Sequence, residues 1–460
     1  MALLSTDLLV ERIGRLNLAS RGDLVREFRA SPATINRCLD RAVLEGRLVR
    51  IGQGRSTRYA ARAALPGVGA THETCRRAAT EVAIYRVTET GRVQSAGRLI
   101  GLAGGRTFCD LAAGGYRPLG NDGNRCFESL PFFLFDLRPQ GFLGRRIAQA
   151  LPGDPEDPAR WGPGWVIEYL LHDGVDLPGN LLLGERAVEA FSQWSPSKLS
   201  PTDFGQAALD VLAGVATGSS AGGEQPKFLA EVEGRQVLVK FSPPGTDPAS
   251  MRWRDLLVAE HLALVTLTGN GISAVESRII KGEDRLFLET VRMDRCGPRG
   301  RLPVVSLEAL DAEYAGHGSG WSRVLSTLHK RLIVDTAAIE AGRLLDTFGA
   351  LIENTDRHLG NLMLRPAQND RFALAPAYDM LPMRFAPVRS EPPPSPIYAP
   401  PVQCVDDALW RQAVEMAEEF WRRAATDPRI SPEFQVIACN RADEVGRLSA
   451  EIKCELPAPK

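Results

Sequence analysis

A chain of 460 residues, 44% hydrophobic and 24% charged, has the make-up of a globular protein of two to four domains. Its formal net charge of -1 excludes a global pull towards nucleic acid or membrane, and no apolar run approaches the ~18 residues of a membrane span. Eight cysteines scattered without a Cys-x-x-Cys or a histidine cluster argue against structural zinc and a disulfide framework, and with an N-terminus unlike a secretory signal they point to a reducing cytoplasm.

Residues 1–65 read as a small helical module. Leu8, Leu9, Ile13 and Leu16 follow helical spacing. Ser20 or Asp23 caps a second helix over 23–28, with Leu24, Val25 and Phe28 inward. Ser31 with Pro32 starts a third helix, which runs to about residue 45 with Ile35, Leu39, Val43 and Leu44 as its buried stripe, and Gly46 stops it. Residues 47–51 and 56–60 then form a β-hairpin with a basic tip. Three helices and a basic hairpin resemble a winged helix-turn-helix. The segment carries twelve arginines against six acids, a charge asymmetry expected of a DNA reader. The third helix presents Thr34, Asn36, Arg37 and Arg41 to a major groove, and Arg50, Arg55 and Arg58 serve phosphates or the minor groove. A protein-binding module with a solvated basic face is the alternative.

Residues 66–200 carry no chemistry of their own. A linker at 66–69 leads to strand-like runs at 82–87 and 98–103 and a Phe-rich run at 130–143, read as packing. A helix is expected over 144–151, a helix or buried strand over 165–172, and a turn and a strand over 173–183.

Residues 201–300 face a nucleotide. The small, flexible stretch from Ser219 to Lys227 precedes strands at 228–232 and 236–241. Its glycine loop, Ala221-Gly222-Gly223, lets backbone N–H groups approach phosphate oxygens. Lys240 ends an apolar strand, where an ammonium needs an anion to meet it. In a kinase that lysine pairs with the α- and β-phosphates and with a helix glutamate. The helix expected over 253–265 offers Glu260, with Asp255 as fallback. Residues 287–295, an apolar strand with a charged exit, fit an interlobe hinge whose backbone at Val291 and Met293 meets adenine; an ordinary strand is the alternative.

Residues 301–460 read as a helical lobe. A helix over 339–353 feeds Asn354-Thr355-Asp356-Arg357-His358-Leu359-Gly360-Asn361. The Asp-x-x-x-x-Asn spacing is that of the kinase catalytic loop. One carboxylate, Asp356, accepts or steers the proton of an attacking hydroxyl. The amide of Asn361 and a second acid, Asp379, delivered by a strand over 372–378, hold the magnesium that bridges ATP phosphates. Each motif alone is weak; their order along the chain is what persuades. His358 orients Asp356 or the loop backbone, or is a packed structural histidine. A Pro-rich loop spans 386–402, and helices over 408–425 and 432–454 bring Trp410 and Trp421 as core anchors.

These residues resemble the HipA family of bacterial serine/threonine kinases, the toxin halves of toxin–antitoxin pairs, and within it the HipH or YjjJ branch with an N-terminal winged helix. Ser-x-Ala-Gly followed by Gln225 and Lys227, the Arg292-to-Arg295 hinge exit, the Asn354-to-Asn361 loop and Tyr378-Asp379 carry the likeness. It implies an α+β multidomain chain: a winged helix-turn-helix over 1–65, a HipA-like N-terminal subdomain over 66–200, a nucleotide-binding lobe over 201–300 and a helical catalytic lobe over 301–460. It implies Asp356 as catalytic base, magnesium on Asn361 and Asp379, and an ATP site of Ala221, Gly222, Gly223, Gln225, Lys227, Lys240, Glu260, Val291, Met293 and His358. Autophosphorylation falls on Ser219 or Ser220, left open by one extra residue before Lys227. The implied partners are a protein substrate with a target Ser or Thr, DNA, and an antitoxin that the fused head replaces or does without. A small-molecule or lipid phosphotransferase and a nucleotide-sensing regulator without turnover are the competing functions.

Overall fold

Ser5 accepts from the Leu8 N–H and starts α1 (Thr6–Leu16) in the computed structural model, which describes residues 4–65, 67, 79–111, 124–150, 157–213, 225–367, 371–388 and 405–454. Ser20 and Asp23 form a reciprocal capping box, so α2 (Arg21–Phe28) begins two residues before the expected Asp23. Ser31, with Pro32 behind it, caps α3 (Pro32–Leu44). Leu9, Ile13, Leu24, Ile35, Cys38, Leu39 and Ala42 make the small core. Three expectations fail here. Leu44 is 89% exposed, Leu8 51% and Leu16 38%. Leu44 lies nine residues beyond Ile35, about 180° round the helix, so Cys38 and Ala42 complete the stripe instead.

The strands β1 (Leu48–Ile51) and β2 (Arg58–Ala61) pair antiparallel from Leu48↔Ala61 to Ile51↔Arg58. Val49 and Ala60 of this hairpin pack on Ile100, Leu102 and Phe108, and Arg62 pairs with Glu81. The helical head is thereby fixed to the next sheet.

That sheet has the order β6-β5-β4-β3-β7 and is antiparallel: β3 (Glu81–Val87), β4 (Val93–Gly101), β5 (Thr107–Leu111), β6 (Asn124–Phe127) and β7 (Leu181–Leu183). The Phe-rich run folds into the single turn α4 (Phe132–Phe135), with Phe132 and Phe133 buried edge to face at 5.5 Å. Then come α5 (Gly141–Ala150), starting three residues before expected, α6 (Pro163–His172), which resolves the helix-or-strand ambiguity, and α7 (Gly184–Gln193). α8 (Phe204–Leu212) packs Phe204 on the sheet that follows.

The second sheet, in the order β10-β11-β9-β8, comprises β8 (Lys227–Val232), β9 (Arg235–Phe241), β10 (Ser277–Lys281) and β11 (Leu286–Val291), covered by α9 (Pro248–Gly269). Two-residue strands β12 (Arg295–Cys296) and β13 (Gly300–Arg301) pair beyond its exit. The remaining lobe holds β14 (Val305–Ser306), α10 (Leu307–Tyr314), α11 (Trp321–Lys330), α12 (Thr336–Leu351), β15 (Met363–Pro366), β16 (Phe372–Leu374), α13 (Asp407–Thr426) and α14 (Pro432–Cys454). Trp421 is sealed among Phe385 and Phe420, and Trp410 is buried. β16 ends at Leu374, short of the expected residue 378. Pro376 has no N–H to donate, and the chain instead bridges Ala377 to Ala274 of the other lobe. No helix among the described residues is long and apolar enough to cross a membrane.

Candidate active site

Lys227 and Lys240 are directly opposed on β8 and β9, so both side chains leave the sheet on one face. Lys240 is only 5% exposed. Its Nζ donates to both oxygens of Glu260 on α9, at 2.8 and 2.7 Å, and to Asp379 Oδ1 at 2.5 Å. Burial works against the ammonium, but Asp379 and Glu260 outweigh it and hold its pKa above the ordinary lysine range. Burial likewise raises Glu260 against the pull of Lys240. For Asp379 burial opposes ionisation, yet Lys240 and Lys227 prevail and its pKa is lowered. Asp255, the fallback, faces away and accepts from the backbone and hydroxyl of Ser431, each at 2.7 Å.

Asp379 has φ 56° and Glu353 φ 57°, left-handed conformations that non-glycine residues avoid and that mark over-determined sites. Several contacts hold them. Asn354 Nδ2 donates to the Asp379 carbonyl at 3.3 Å, while its Oδ1 accepts from Asp356 N–H at 3.0 Å. Glu353 is gripped by Arg441 of α14 at 3.0 Å. Arg357 folds back on Asp346 at 3.2 Å and on the Asn354 carbonyl. A side chain at Gly349 would lie 2.6 Å from Arg357, which is why α12 carries a glycine there. The motif's first member, Asn354, thus ties the loop to Asp379, a role the sequence did not disclose.

Asp356 is exposed to solvent and does not itself line the cavity between the lobes, whereas His358 and Asn361 of the same loop do. Partial burial and the nearby Asp379 raise the Asp356 carboxyl above the usual range. Asn361 Nδ2 donates to the Asp356 carbonyl at 2.9 Å and reaches its Oδ2 at 3.4 Å, which turns the amide oxygen the other way. His358 Nδ1 accepts from Gly360 N–H at 3.1 Å, so the neutral ring carries its proton on Nε2. Trp321 Nε1 fixes the His358 carbonyl at 2.9 Å.

A cavity of about 170 Å3 lies between the lobes. Lys227, Lys240, Glu260, Val291, Met293, His358, Asn361 and Asp379 all line it. Gln225 does not, and its buried side-chain nitrogen meets no partner among the described residues. Ser219, Ser220, Ala221, Gly222 and Gly223 lie outside the described residues. Asp136, Ser306 and Tyr378 also line the cavity and were missed as site residues; an acid inside an apolar Phe-rich run was the available signal for Asp136.

Behind the hinge exit, Arg292 and Arg295 clasp Asp176 at 2.8 and 2.5 Å and Asp294 at 3.0 and 2.7 Å. Burial opposes the Asp294 charge, but the two guanidiniums hold its carboxyl well below the usual range. Arg301 stacks beside them, 4.6 Å from the Phe191 ring centre.

The donor set suits a hard divalent cation. The Asp379 carboxylate and the Asn361 amide oxygen are oxygen ligands, and magnesium takes few of these from protein and the rest from phosphate and water. No group of three or more His, Cys, Asp or Glu able to hold a metal exists among the described residues, in keeping with so sparse a set.

On the head, Arg37, Arg41, Arg50 and Arg55 are exposed, and Thr34, Asn36 and Arg58 partly so. Asp40 and Leu44 share the exposed face of α3, and Arg41 pairs with Glu45 at 2.8 Å.

Two family models match the chain: a YjjJ-like toxin, middle domain, over residues 78–192, and a HipA-like C-terminal domain over 219–434. Toxin YjjJ of Escherichia coli (strain K12) is 32% identical over 456 residues, spanning 94% of this chain and 96% of its own. A solved chain from the Shewanella oneidensis MR-1 toxin–antitoxin complex of HipA, HipB and operator DNA has a TM-score of 0.53 at 14% identity, over 81% of this chain and 96% of that one, a likeness of fold. The Helicobacter pylori proinflammatory kinase CtkA has a TM-score of 0.36 at 13% identity, over 52% and 95%.

Proposed function

This chain belongs to the HipA family of toxins, on its YjjJ-like branch, and on that premise we propose that it is an ATP- and Mg2+-dependent protein serine/threonine kinase with a fused DNA-binding head. The observation that carries this reading is the convergence of Lys240, Glu260 and Asp379 with the Asp356–Asn361 loop on one cavity. Lys240, steadied by Glu260, and its neighbour Lys227 meet the phosphates. The backbone at Val291 and Met293 meets the base. Asp379 and the amide oxygen of Asn361 would hold the magnesium, which would supply charge neutralisation at the phosphates. Asp356, exposed beside Asn361, accepts or steers the proton of the incoming hydroxyl, and His358 offers its Nε2–H to the phosphate side. Ser219 or Ser220 is the autophosphorylation site, and the glycine loop Ala221-Gly222-Gly223 with Gln225 covers the phosphates.

Residues 1–65 act as a winged helix-turn-helix. Thr34, Asn36, Arg37 and Arg41 enter the major groove, and Arg50, Arg55 and Arg58 take the backbone or minor groove. The complex containing HipB and operator DNA makes an antitoxin a second candidate partner, which the fused head replaces or complements. The subdomain limits at residues 66–200, 201–300 and 301–460 and a cytoplasmic location belong to the same reading.

Purified protein incubated with γ-labelled ATP and Mg2+ tests it. Label is expected on a serine between residues 214 and 224, located by mass spectrometry, and on a lysate protein, and EDTA should abolish both. Label found only on metabolites or lipids would replace protein kinase by small-molecule phosphotransferase. Nucleotide binding without any transfer would leave a sensor.

A further inference from the structure

The cavity between the lobes has a wall built by neither lobe. The segment between α4 and α5, in the middle region, contributes Asp136, Arg138 and Gln140 to it. Asp136 has the most fixed geometry of the three. Its Oδ2 accepts from Ser306 N–H at 2.8 Å and its Oδ1 from the Ser306 hydroxyl at 2.5 Å. That same hydroxyl accepts from Ala309 N–H at 3.0 Å as the N-cap of α10. Its proton is therefore committed to Asp136. Both carboxylate oxygens are gripped from the Ser306 side, and each keeps lone pairs for a further donor. Burial pushes this carboxyl up to about 6 despite the two Ser306 bonds, so its ionised form is short of donors.

Its place along the cavity is defined. Lys240, Glu260 and Asp379 mark one end and the hinge backbone at Val291 and Met293 the other. The charges acting most on Asp136 are Glu308 and Arg138, not the lysines. Asp136, Asp294, Tyr378 and Asp379 all line this cavity. Tyr378 in turn donates to the Gly360 carbonyl at 2.8 Å, one residue before Asn361. Asp136 lines the same cavity as the hinge residues and Lys240, so a nucleotide laid between those two shares its space with this carboxylate.

Resting on the reading of the cleft as a nucleotide site, we propose that Asp136 receives the ribose 2′- and 3′-hydroxyls and makes the site selective for ribonucleotides over deoxyribonucleotides. A vicinal diol supplies two O–H donors on one edge, and a carboxylate is the acceptor that ribose recognition uses elsewhere. Removing one hydroxyl leaves a desolvated acceptor unmet, which discriminates more strongly than the average hydrogen bond. Ser306 is the positioning residue that aims the carboxylate.

Isothermal titration of the full chain with Mg2+ and ADP, 2′-deoxy-ADP or 3′-deoxy-ADP tests this without turnover. The wild type should bind ADP about tenfold more tightly than either deoxy form. Asp136→Asn should bring the ratio to within about twofold by weakening ADP more than either deoxy form. A ratio unchanged in Asp136→Asn overturns the proposal. So does equal weakening of all three nucleotides, which would make Asp136 a purely structural tie to α10. Should the variant not fold, the wild-type series still decides, because equal affinities for the three nucleotides refute a diol receptor. Tight binding without discrimination overturns this inference alone, whereas no binding of any nucleotide overturns the kinase reading beneath it.

Discussion

Lys240 and Arg295 are both nearly sealed from water, and each reaches two carboxylates, yet their surroundings differ. Around Arg295, three arginines face two aspartates, planar forks meet carboxylates in paired contacts, and backbone carbonyls of Leu177 and Gly179 take further N–H groups. Around Lys240 the balance reverses: acids outnumber cations once Asp356 is counted, beside a cavity that Arg292 and Asp294 also line. An ammonium is a point charge on a flexible stem and can be re-aimed, whereas a guanidinium fork is bound by its geometry. Buried charge alone does not mark a functional site. Exchangeable charge beside an empty space does, and under the proposed function Lys240 yields Asp379 when phosphates and magnesium arrive.

Breaking the first cluster should remove chemistry and spare the fold. Asp379→Asn should lower phosphoryl transfer at least about 10^3-fold, some 4 kcal/mol, while the melting temperature moves little, because Lys240 keeps Glu260. Steady-state transfer and calorimetry read the two effects separately. Breaking the second should do the opposite. Asp294→Ala strands Arg292 and Arg295 and should cost about 3 kcal/mol in urea unfolding. A neutral result there would mean that the arginines are less enclosed than they look.

Asp136 sharpens the contrast through pH. Its folded pKa, about 6, lies above the ordinary 3.8, so the folded state holds a proton that the unfolded chain releases. Its contribution therefore favours folding below about pH 4 and is lost as pH rises through 6. Between pH 5 and 7.5 the wild type should lose about 1.4 kcal/mol relative to Asp136→Asn, seen as diverging melting temperatures. A constant difference would place the carboxyl in water. The head supplies the mildest case, charges left in solvent. Arg37→Ala and Arg41→Ala should each weaken DNA binding by about 1 kcal/mol and together reduce the salt slope by about two. Unchanged binding would remove α3 from the groove.

What the sequence disclosed follows the range of each interaction. The Asp356–Asn361 loop was readable because its spacing is local. Lys240 was readable because an ammonium in an apolar strand demands an acid. Glu260 and Asp255 could not be told apart from sequence alone: both are buried on α9, and only the fold shows that one faces Lys240 and the other Ser431. Asp176 lies more than a hundred residues from the arginines it holds, so no local pattern announces it. Asp136 was hidden because its phenylalanine neighbours do pack, and packing was a sufficient account of them. Leu8 and Leu44 misled because apolar residues near helix ends satisfy a periodicity without facing a core.

The central claim is that Asp356 accepts or steers a hydroxyl proton beside a bound nucleotide. It is tested most directly by measuring label transfer from γ-labelled ATP and ADP affinity in Asp356→Asn beside the wild type. The account predicts affinity within about threefold of wild type and transfer reduced at least about 10^3-fold. Transfer at the wild-type rate in that variant would contradict it.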